Sequence, residues 1–302
     1  MDFICTLYEK HYDYGVGALC NSLAAANFEG TIVIGYKQKL PFWLPQLKQS
    51  TKNRYALNEK ISIEFVCLDH IDYHLGYYKA KFMLECIHFY SKLETISYFD
   101  PDIVLKADWF FFRNWIATGV ALAADNCYTF LHINHPWRRD WRLLFPEKTV
   151  VSKPECYINS GFIGLKKADQ EILMLWQEAI QNYSRPGGSL QSFERDAKSS
   201  LKGDQDLLNA ALMFFPYEKL SIIGKEAMGF ESPNYIMGHA ISGIKPWRRN
   251  YLKELVLLGS KPSFTDKLFF LSCNYPIKLF SDIRLRLKKL NLVFANILGR
   301  II

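Results

Sequence analysis

The sequence predicts an α/β fold in which a mostly parallel sheet is flanked by helices and followed by a helical appendage. Strand-length apolar runs alternate with helix-length amphipathic runs through the first half of the chain, which implies βαβ units. Denser apolar runs of central-strand character come next, and near residue 250 the composition changes to short apolar stretches punctuated by Lys and Arg. The 302 residues, 49% hydrophobic, 15% aromatic and 22% charged, are ordinary for a globular protein and enough for a sizeable core.

In chain order, FICTLYE reads as a first strand and YGVGALCNSLAAANF as the helix after it, because small and apolar residues fill one face without a proline. TIVIGY and ISIEFVCLD are rich in β-branched residues and read as strands. Between them lies a Pro- and Lys-bearing connection. GYYKAKFMLECIHFYSKL has helical spacing and leads into TISYF, a buried strand stopped by proline after Asp100. TGVALAAD, CYTFLHIN and YINSGFIGLK are dense enough to be central strands, and DQEILMLWQEAIQNY and DQDLLNAALMFF read as helices. Residues 1–250 are taken as one α/β domain and residues 251–302 as a basic amphipathic appendage.

Composition narrows the function classes. Seven cysteines without C-x-x-C spacing argue against a disulfide framework or a zinc site and favour a reducing cytosol. MDFICTLYEK has neither the basic nor the long apolar region of a signal peptide. No run reaches the roughly 18 apolar residues that span a bilayer. The formal charge of +7 suits phosphorylated ligands or anionic lipid, and no nucleic-acid partner is expected.

Two stretches carry chemistry. YFDPDIVL, residues 98–105, puts two carboxylates at the end of a strand, where ligands of open α/β sheets bind. A plain Asp-Pro turn is the bland reading. HAISGIKPWRRN, residues 239–250, supplies an imidazole, a glycine that permits close approach, a lysine and a stiffening Pro-Trp pair. Asp100, Asp102 and His239 together make a plausible divalent-ion site, and the imidazole favours manganese over magnesium.

Asp100-Pro101-Asp102 resembles the DxD motif of GT-A nucleotide-sugar glycosyltransferases, and the pattern from His239 to Trp247 resembles the HxxGxxKPW signature of glycosyltransferase family 8. Ile158–Phe162 is similar to that family's F-N-S-G segment, and Gly203–Asn209 to its G-D-Q-x-x-L-N segment. The likeness runs from residue 3 to about 250 in the family's motif order. It implies a Rossmann-like GT-A fold, a UDP-sugar donor, Mn2+ or Mg2+ and retention of configuration. Asp100, Asp102 and His239 are the implied metal ligands, and Asp100 also faces the diphosphate with Lys245 and Gly243. Thr6, Tyr8 and Tyr12 are the implied nucleotide contacts. Asp125, Asn159, Asp204 and Gln205 are the candidates for the reacting sugar. The sequence departs from the family pattern in a His-to-Gly spacing one residue longer and in the sugar-contacting arginine, for which Lys79 or Lys81 stands, Lys81 being taken.

Each motif has a bland counterpart. Asp204 is also a good N-cap residue, residues 159–161 also suit a β-bulge, and Asp125 also suits a strand end. A metal-dependent nucleotidyltransferase and a non-catalytic glycan- or lipid-binding relative remain alternatives. The former usually opens with a glycine-rich phosphate loop, which TLYEKHYDYG is not.

In the tail, Ile283, Leu287, Leu290, Phe294, Ile297 and Ile301 recur at helical spacing beside Arg284, Arg286, Lys288, Lys289 and Arg300. That pattern predicts an interfacial helix over residues 282–302 on anionic lipid, hence a cytoplasmic protein peripheral to the inner face of a membrane with a glycan or lipid-linked acceptor. Arg138, Arg139, Arg142, Arg248 and Arg249 lie in two further Trp- and Pro-bearing basic stretches and would add to a membrane-facing or phosphate-facing surface if they fold onto the same side.

Overall fold

The computed structural model describes every residue except 129, 185–188, 194–198, 232–235 and 302. In chain order it contains β1 (Asp2–Tyr8), α1 (Asp13–Ala25), β2 (Gly30–Tyr36), β3 (Lys48–Thr51), β4 (Arg54–Ala56), β5 (Ile61–Cys67), α2 (Lys79–Phe89), β6 (Thr95–Phe99), β7 (Ile103–Leu105) and α3 (Trp109–Thr118). There follow β8 (Val120–Ala124), α4 (Pro136–Arg142), β9 (Ile158–Lys166), α5 (Glu171–Ser184), α6 (Asp204–Leu212), β10 (Leu220–Ile223), β11 (Met237–His239), α7 (Tyr251–Leu258), α8 (Phe264–Leu271) and α9 (Asp282–Leu298).

The main sheet runs β10-β8-β9-β6-β1-β2-β5-β4-β3. Its centre is parallel: β1 pairs in parallel with β2 and β6, and β2 with β5. β9 enters antiparallel between β6 and β8, and β3 and β4 form an antiparallel hairpin at one edge. Alternate side chains of β1 enter two cores. Ile4 and Tyr8 pack with residues of α1 and α3, and Phe3, Cys5 and Leu7 with residues of α2 and α5. Covering both faces is what makes the central strands continuously apolar in sequence. A second, two-stranded sheet pairs β7 antiparallel with β11.

In the segment expected as a strand over 127–134, the described residues 127, 128 and 130–134 form none. Among the described residues of the segment, Phe130 and Ile133 are exposed, only Leu131 is buried, and the ties to the neighbouring chain are isolated bonds, from Tyr157 N–H to the Tyr128 carbonyl and from Leu131 N–H to the Glu155 carbonyl. The apolar count is that of a strand, but its side chains lack a second covered face.

The sheet is complete before residue 250, yet packing continues past it. Tyr251, Leu255, Phe269, Phe270, Leu285, Leu292 and Ala295 share a core with α1 and Trp43. Asn21 of α1 binds the Ser272 and Ile277 carbonyls and accepts from Ile277 N–H. Two of the expected surface arginines are internal. Arg138 is buried and donates to the carbonyls of Leu131, His132 and Pro154, and Arg249 pairs with Glu254 and Asp266. An arginine near tryptophan is as consistent with serving internal partners as with facing a phosphate, and here Arg138 serves buried carbonyls and Arg249 the carboxylates of Glu254 and Asp266. No helix among the described residues is long and apolar enough to cross a membrane.

α9 docks through Leu285, Leu292 and Ala295. The stripe read from the sequence lies elsewhere on the helix: Ile283 is 77% exposed, Phe294 52% and Ile301 79%, with Leu287, Leu290 and Ile297 also exposed.

Candidate active site

The carboxyl end of β6 delivers Asp100, and the tight Asp-Pro-Asp turn delivers Asp102 at the start of β7. The β7–β11 register sets His239 opposite Ile103, which brings the imidazole over both acids. His239 Nε2 lies 3.2 Å from Asp102 Oδ1 and 3.7 Å from Asp100 Oδ2. One donor atom from each of the three residues fits within 4.8 Å of the others. The second oxygen of each carboxylate is held by a lysine, Lys79 Nζ at 2.9 Å from Asp100 Oδ1 and Lys245 Nζ at 2.7 Å from Asp102 Oδ2. The inward oxygens and the imidazole therefore face one another as a compact oxygen and nitrogen donor set, which fits a divalent ion such as manganese.

Electrostatics hold this arrangement. Burial alone would raise the Asp102 pKa, but His239 and Lys245 outweigh it and keep the carboxyl far below the usual range. Burial would lower Lys79, yet Asp100 and Asp204 keep its ammonium above the ordinary lysine range. Gly161 is required sterically: a Cβ there would stand 2.6 Å from His239 Cε1 and 3.0 Å from Asp100 Oδ2.

β9 and the start of α6 build the next wall. Asn159 Nδ2 donates to Asp125 Oδ2 at 2.6 Å, and Asp125 Oδ1 accepts from Cys127 N–H. Asp204 is not the N-cap of α6, a place taken by Gly203; its carboxylate accepts from Ser160 Oγ and pairs with Lys79 at 3.0 Å. Gln205 Oε1 accepts from Ser160 N–H. All four candidates for the reacting sugar thus converge on one cleft of about 600 Å³, with Asp100, Asp102, His239, Lys245, Tyr8 and Tyr12. Tyr12 stands edge-on to Trp247, and Lys245 Nζ is 5.8 Å from its ring centroid.

Three expected contacts fall outside the cleft. Lys81 is half exposed and reaches Glu85, at 4.0 Å, and the face of the Tyr78 ring, 5.6 Å from its centroid. Lys79 lines the cleft instead, because residues two apart on a helix point to opposite sides and Lys79 shares the buried stripe of Phe82, Met83 and Cys86. That stripe, legible at three- and four-residue spacing, is the signal that separates the two lysines. Thr6 is wholly buried beneath the cleft, and Gly243 sits on an exposed loop with nothing near it. Tyr8 lines the cleft, but its hydroxyl is committed to the Lys39 carbonyl. The sequence reading did not single out Ser160, Trp137 or Lys202.

By sequence, no protein-family model and no curated protein matches the chain. By structure it is similar to the bifunctional glycosyltransferase WbbM, with TM-score 0.55, 14% identity, and 94% of this chain and 51% of that chain covered. It is also similar to the glycosyltransferase GlyE of Streptococcus pneumoniae TIGR4, with TM-score 0.55, 12% identity and 97% and 62% covered. A third similar structure is the galactosyltransferase LgtC in complex with donor and acceptor sugar analogs, with TM-score 0.53, 12% identity and 95% and 100% covered. The chain spans about half the length of WbbM and 62% of GlyE. These similarities define the class: a mixed, largely parallel sheet flanked by helices, the GT-A glycosyltransferase fold.

Proposed function

We propose that the chain is a metal-dependent glycosyltransferase of the family 8 type, moving a hexose from a UDP-sugar to a glycan or lipid-linked acceptor with retention of configuration. The observation that carries this reading is the Asp100–Asp102–His239 cluster at the carboxyl end of β6, in a cleft walled by Lys245 on one side and Asp125, Asn159, Asp204 and Gln205 on the other. In the reaction, the bond from the anomeric carbon to the β-phosphate oxygen breaks and a bond to the acceptor hydroxyl oxygen forms, the hydroxyl proton leaving with the diphosphate. A divalent ion held by Asp100, Asp102 and His239 would supply positive charge against the charge developing on that diphosphate. Lys245 adds a second positive contact, and Tyr12 offers its ring to the base. Lys79 draws Asp100 and Asp204 together, so that the metal side and the sugar side of the cleft keep a fixed spacing.

Without a cation, Asp100 and Asp102 face the diphosphate as like charges, which is unfavourable in a partly buried cleft. UDP titrated calorimetrically in manganese is therefore expected to bind at least about tenfold more tightly than in EDTA, a difference of about 1.4 kcal/mol. Equal affinity in both conditions contradicts the metal role of the cluster.

The reading extends to location: a cytoplasmic protein held peripherally at the inner face of a membrane. It is supported by the exposed apolar residues of α9, by Val256, Leu257 and Leu258 exposed on α7, and by exposed Arg284, Arg286, Lys289 and Arg300. Each cation near an anionic surface contributes about 1 kcal/mol. Because α9 also packs into the core, surface substitutions test this better than truncation. Cosedimentation with phosphatidylglycerol vesicles is expected to weaken with salt and to drop in Leu287→Asn/Phe294→Asn/Ile297→Asn; unchanged sedimentation of that variant contradicts membrane docking through α9.

A further inference from the structure

We infer that the end of the cleft away from Lys245 is an acceptor subsite for a sugar bearing an anionic group, its ring lying on Trp137 and its anion on Lys202. The inference deepens the transfer reading above and rests on it. Among the aromatic residues in or beside the cleft, which also include His74 paired with Phe193, two groups have no ring contact with each other among the described residues. His11, Tyr12 and Trp247 form one, beside Lys245. Tyr128, Trp137 and Tyr157 form the other, with Trp137 5.0 Å from Tyr128 and 6.1 Å from Tyr157 between ring centroids. The sugar-side residues border the second group: Asp125 N–H donates to the Tyr157 carbonyl at 2.7 Å, and the Tyr157 hydroxyl donates to Asp206 at 2.6 Å. A donor fixed at the metal end thus points its anomeric carbon toward this second group.

The second group has the features of a sugar platform. Trp137 is half-buried in the cleft wall, and neither its indole N–H nor the Tyr128 hydroxyl has a hydrogen-bond partner among the described residues. Aromatic rings with an unused polar edge suit a ligand that is apolar on one face and hydroxylated at its rim. Lys202 is half-buried with its Nζ 5.1 Å from the Trp137 ring centroid, and it forms no salt bridge among the described residues. Asp206 attracts it through space but makes no salt-bridge contact with it. Asp206 receives the Tyr157 hydroxyl on one oxygen and Lys202 N–H on the other, and burial pushes its pKa up to about 6; Asp125 is occupied by Cys127 N–H and Asn159. An ammonium held over an indole, inside a cleft and with no carboxylate in salt-bridge contact among the described residues, is a ready partner for a carboxylate or phosphate monoester on the incoming sugar.

The test uses the full chain saturated with UDP and magnesium, with glucose, glucuronate, glucose 6-phosphate and inorganic phosphate as probes in ligand-observed NMR titrations. Both charged sugars, or one of them, are expected to bind roughly tenfold more tightly than glucose, and which one does identifies carboxylate or phosphate as the group recognised. Lys202→Gln should bring that ratio close to unity and Lys202→Arg should restore it. Trp137→Ala, with Trp137→Phe as the milder change should the first not fold, should weaken every sugar several-fold and leave inorganic phosphate unaffected. Equal binding of neutral and charged sugars, a ratio insensitive to Lys202→Gln, or no sugar binding overturns the subsite. Inorganic phosphate binding as tightly as glucose 6-phosphate overturns the sugar platform. Failure of UDP itself to bind is a separate outcome that counts against the transfer reading, and the same sugar titrations run without UDP then decide the subsite by the same criteria.

Discussion

Asp102→Asn is expected to lower kcat by roughly a hundred- to a thousandfold while the protein remains folded. The substitution keeps the shape of the side chain but removes the charge to which His239 and Lys245 are both anchored, at 3.2 and 2.7 Å. On the proposed reading it strips a donor from the candidate metal cluster and frees Lys245 from the position that would face the diphosphate in one step. Lys245 keeps its hydrogen bond to the Ala240 carbonyl at 2.7 Å, so its ammonium is not left wholly unpaired and global unfolding is not expected. The check is kcat at saturating manganese alongside a circular-dichroism melt. Turnover within a few-fold of wild type would remove Asp102 from the chemistry, and an unfolded variant would reassign it to stability.

Lys79→Met is expected to cost about 3–5 kcal/mol of stability, because removing one partner of a buried ion pair leaves the other buried and uncompensated. Here two carboxylates are left, Asp100 and Asp204, along with the Ser160 carbonyl that Lys79 also binds at 3.1 Å. The sign with pH follows from linkage. The folded-state pKa of Lys79 lies above its unfolded value, so its contribution is complete at neutral pH and is lost only as pH rises through the folded value. Urea denaturation at pH 7 should therefore show the full deficit, and kcat should fall with it because the two walls of the cleft lose their common anchor. Lys81→Met, on the exposed side of the same helix, should stay within about 0.5 kcal/mol of wild type. A Lys79 variant as stable as the Lys81 variant contradicts the bridging role.

The sequence and the fold agree most closely where burial is two-sided. β1, β2, β6 and β9 are legible because a strand covered on both faces is apolar throughout, and their order with the intervening helices gives the parallel centre of the sheet. The acids at 100 and 102 are legible because the proline between them marks the end of the strand. The short strands β7 and β11 are not, since three residues carry no period. Yet their pairing is what places His239 on the two aspartates, which is how an imidazole 137 positions beyond Asp102 (239 − 102) joins them. Residues 127–134 misled for the opposite reason, an apolar composition without a second surface to pack on. In α9 the eye finds the wider apolar stripe, but the core takes the narrower set Leu285, Leu292 and Ala295, because neighbouring α7 and α8 approach from that side. Tertiary geometry chose among faces that periodicity alone ranks differently.

Release of UDP from a panel of UDP-sugars, measured with manganese and again with EDTA, tests the central claim most directly. At least one UDP-sugar should give UDP in manganese, at a rate raised by acceptor glycans and abolished by EDTA and by Asp102→Asn; no UDP release from any of them, or release indifferent to EDTA, would contradict a metal-dependent glycosyl transfer at Asp100, Asp102 and His239.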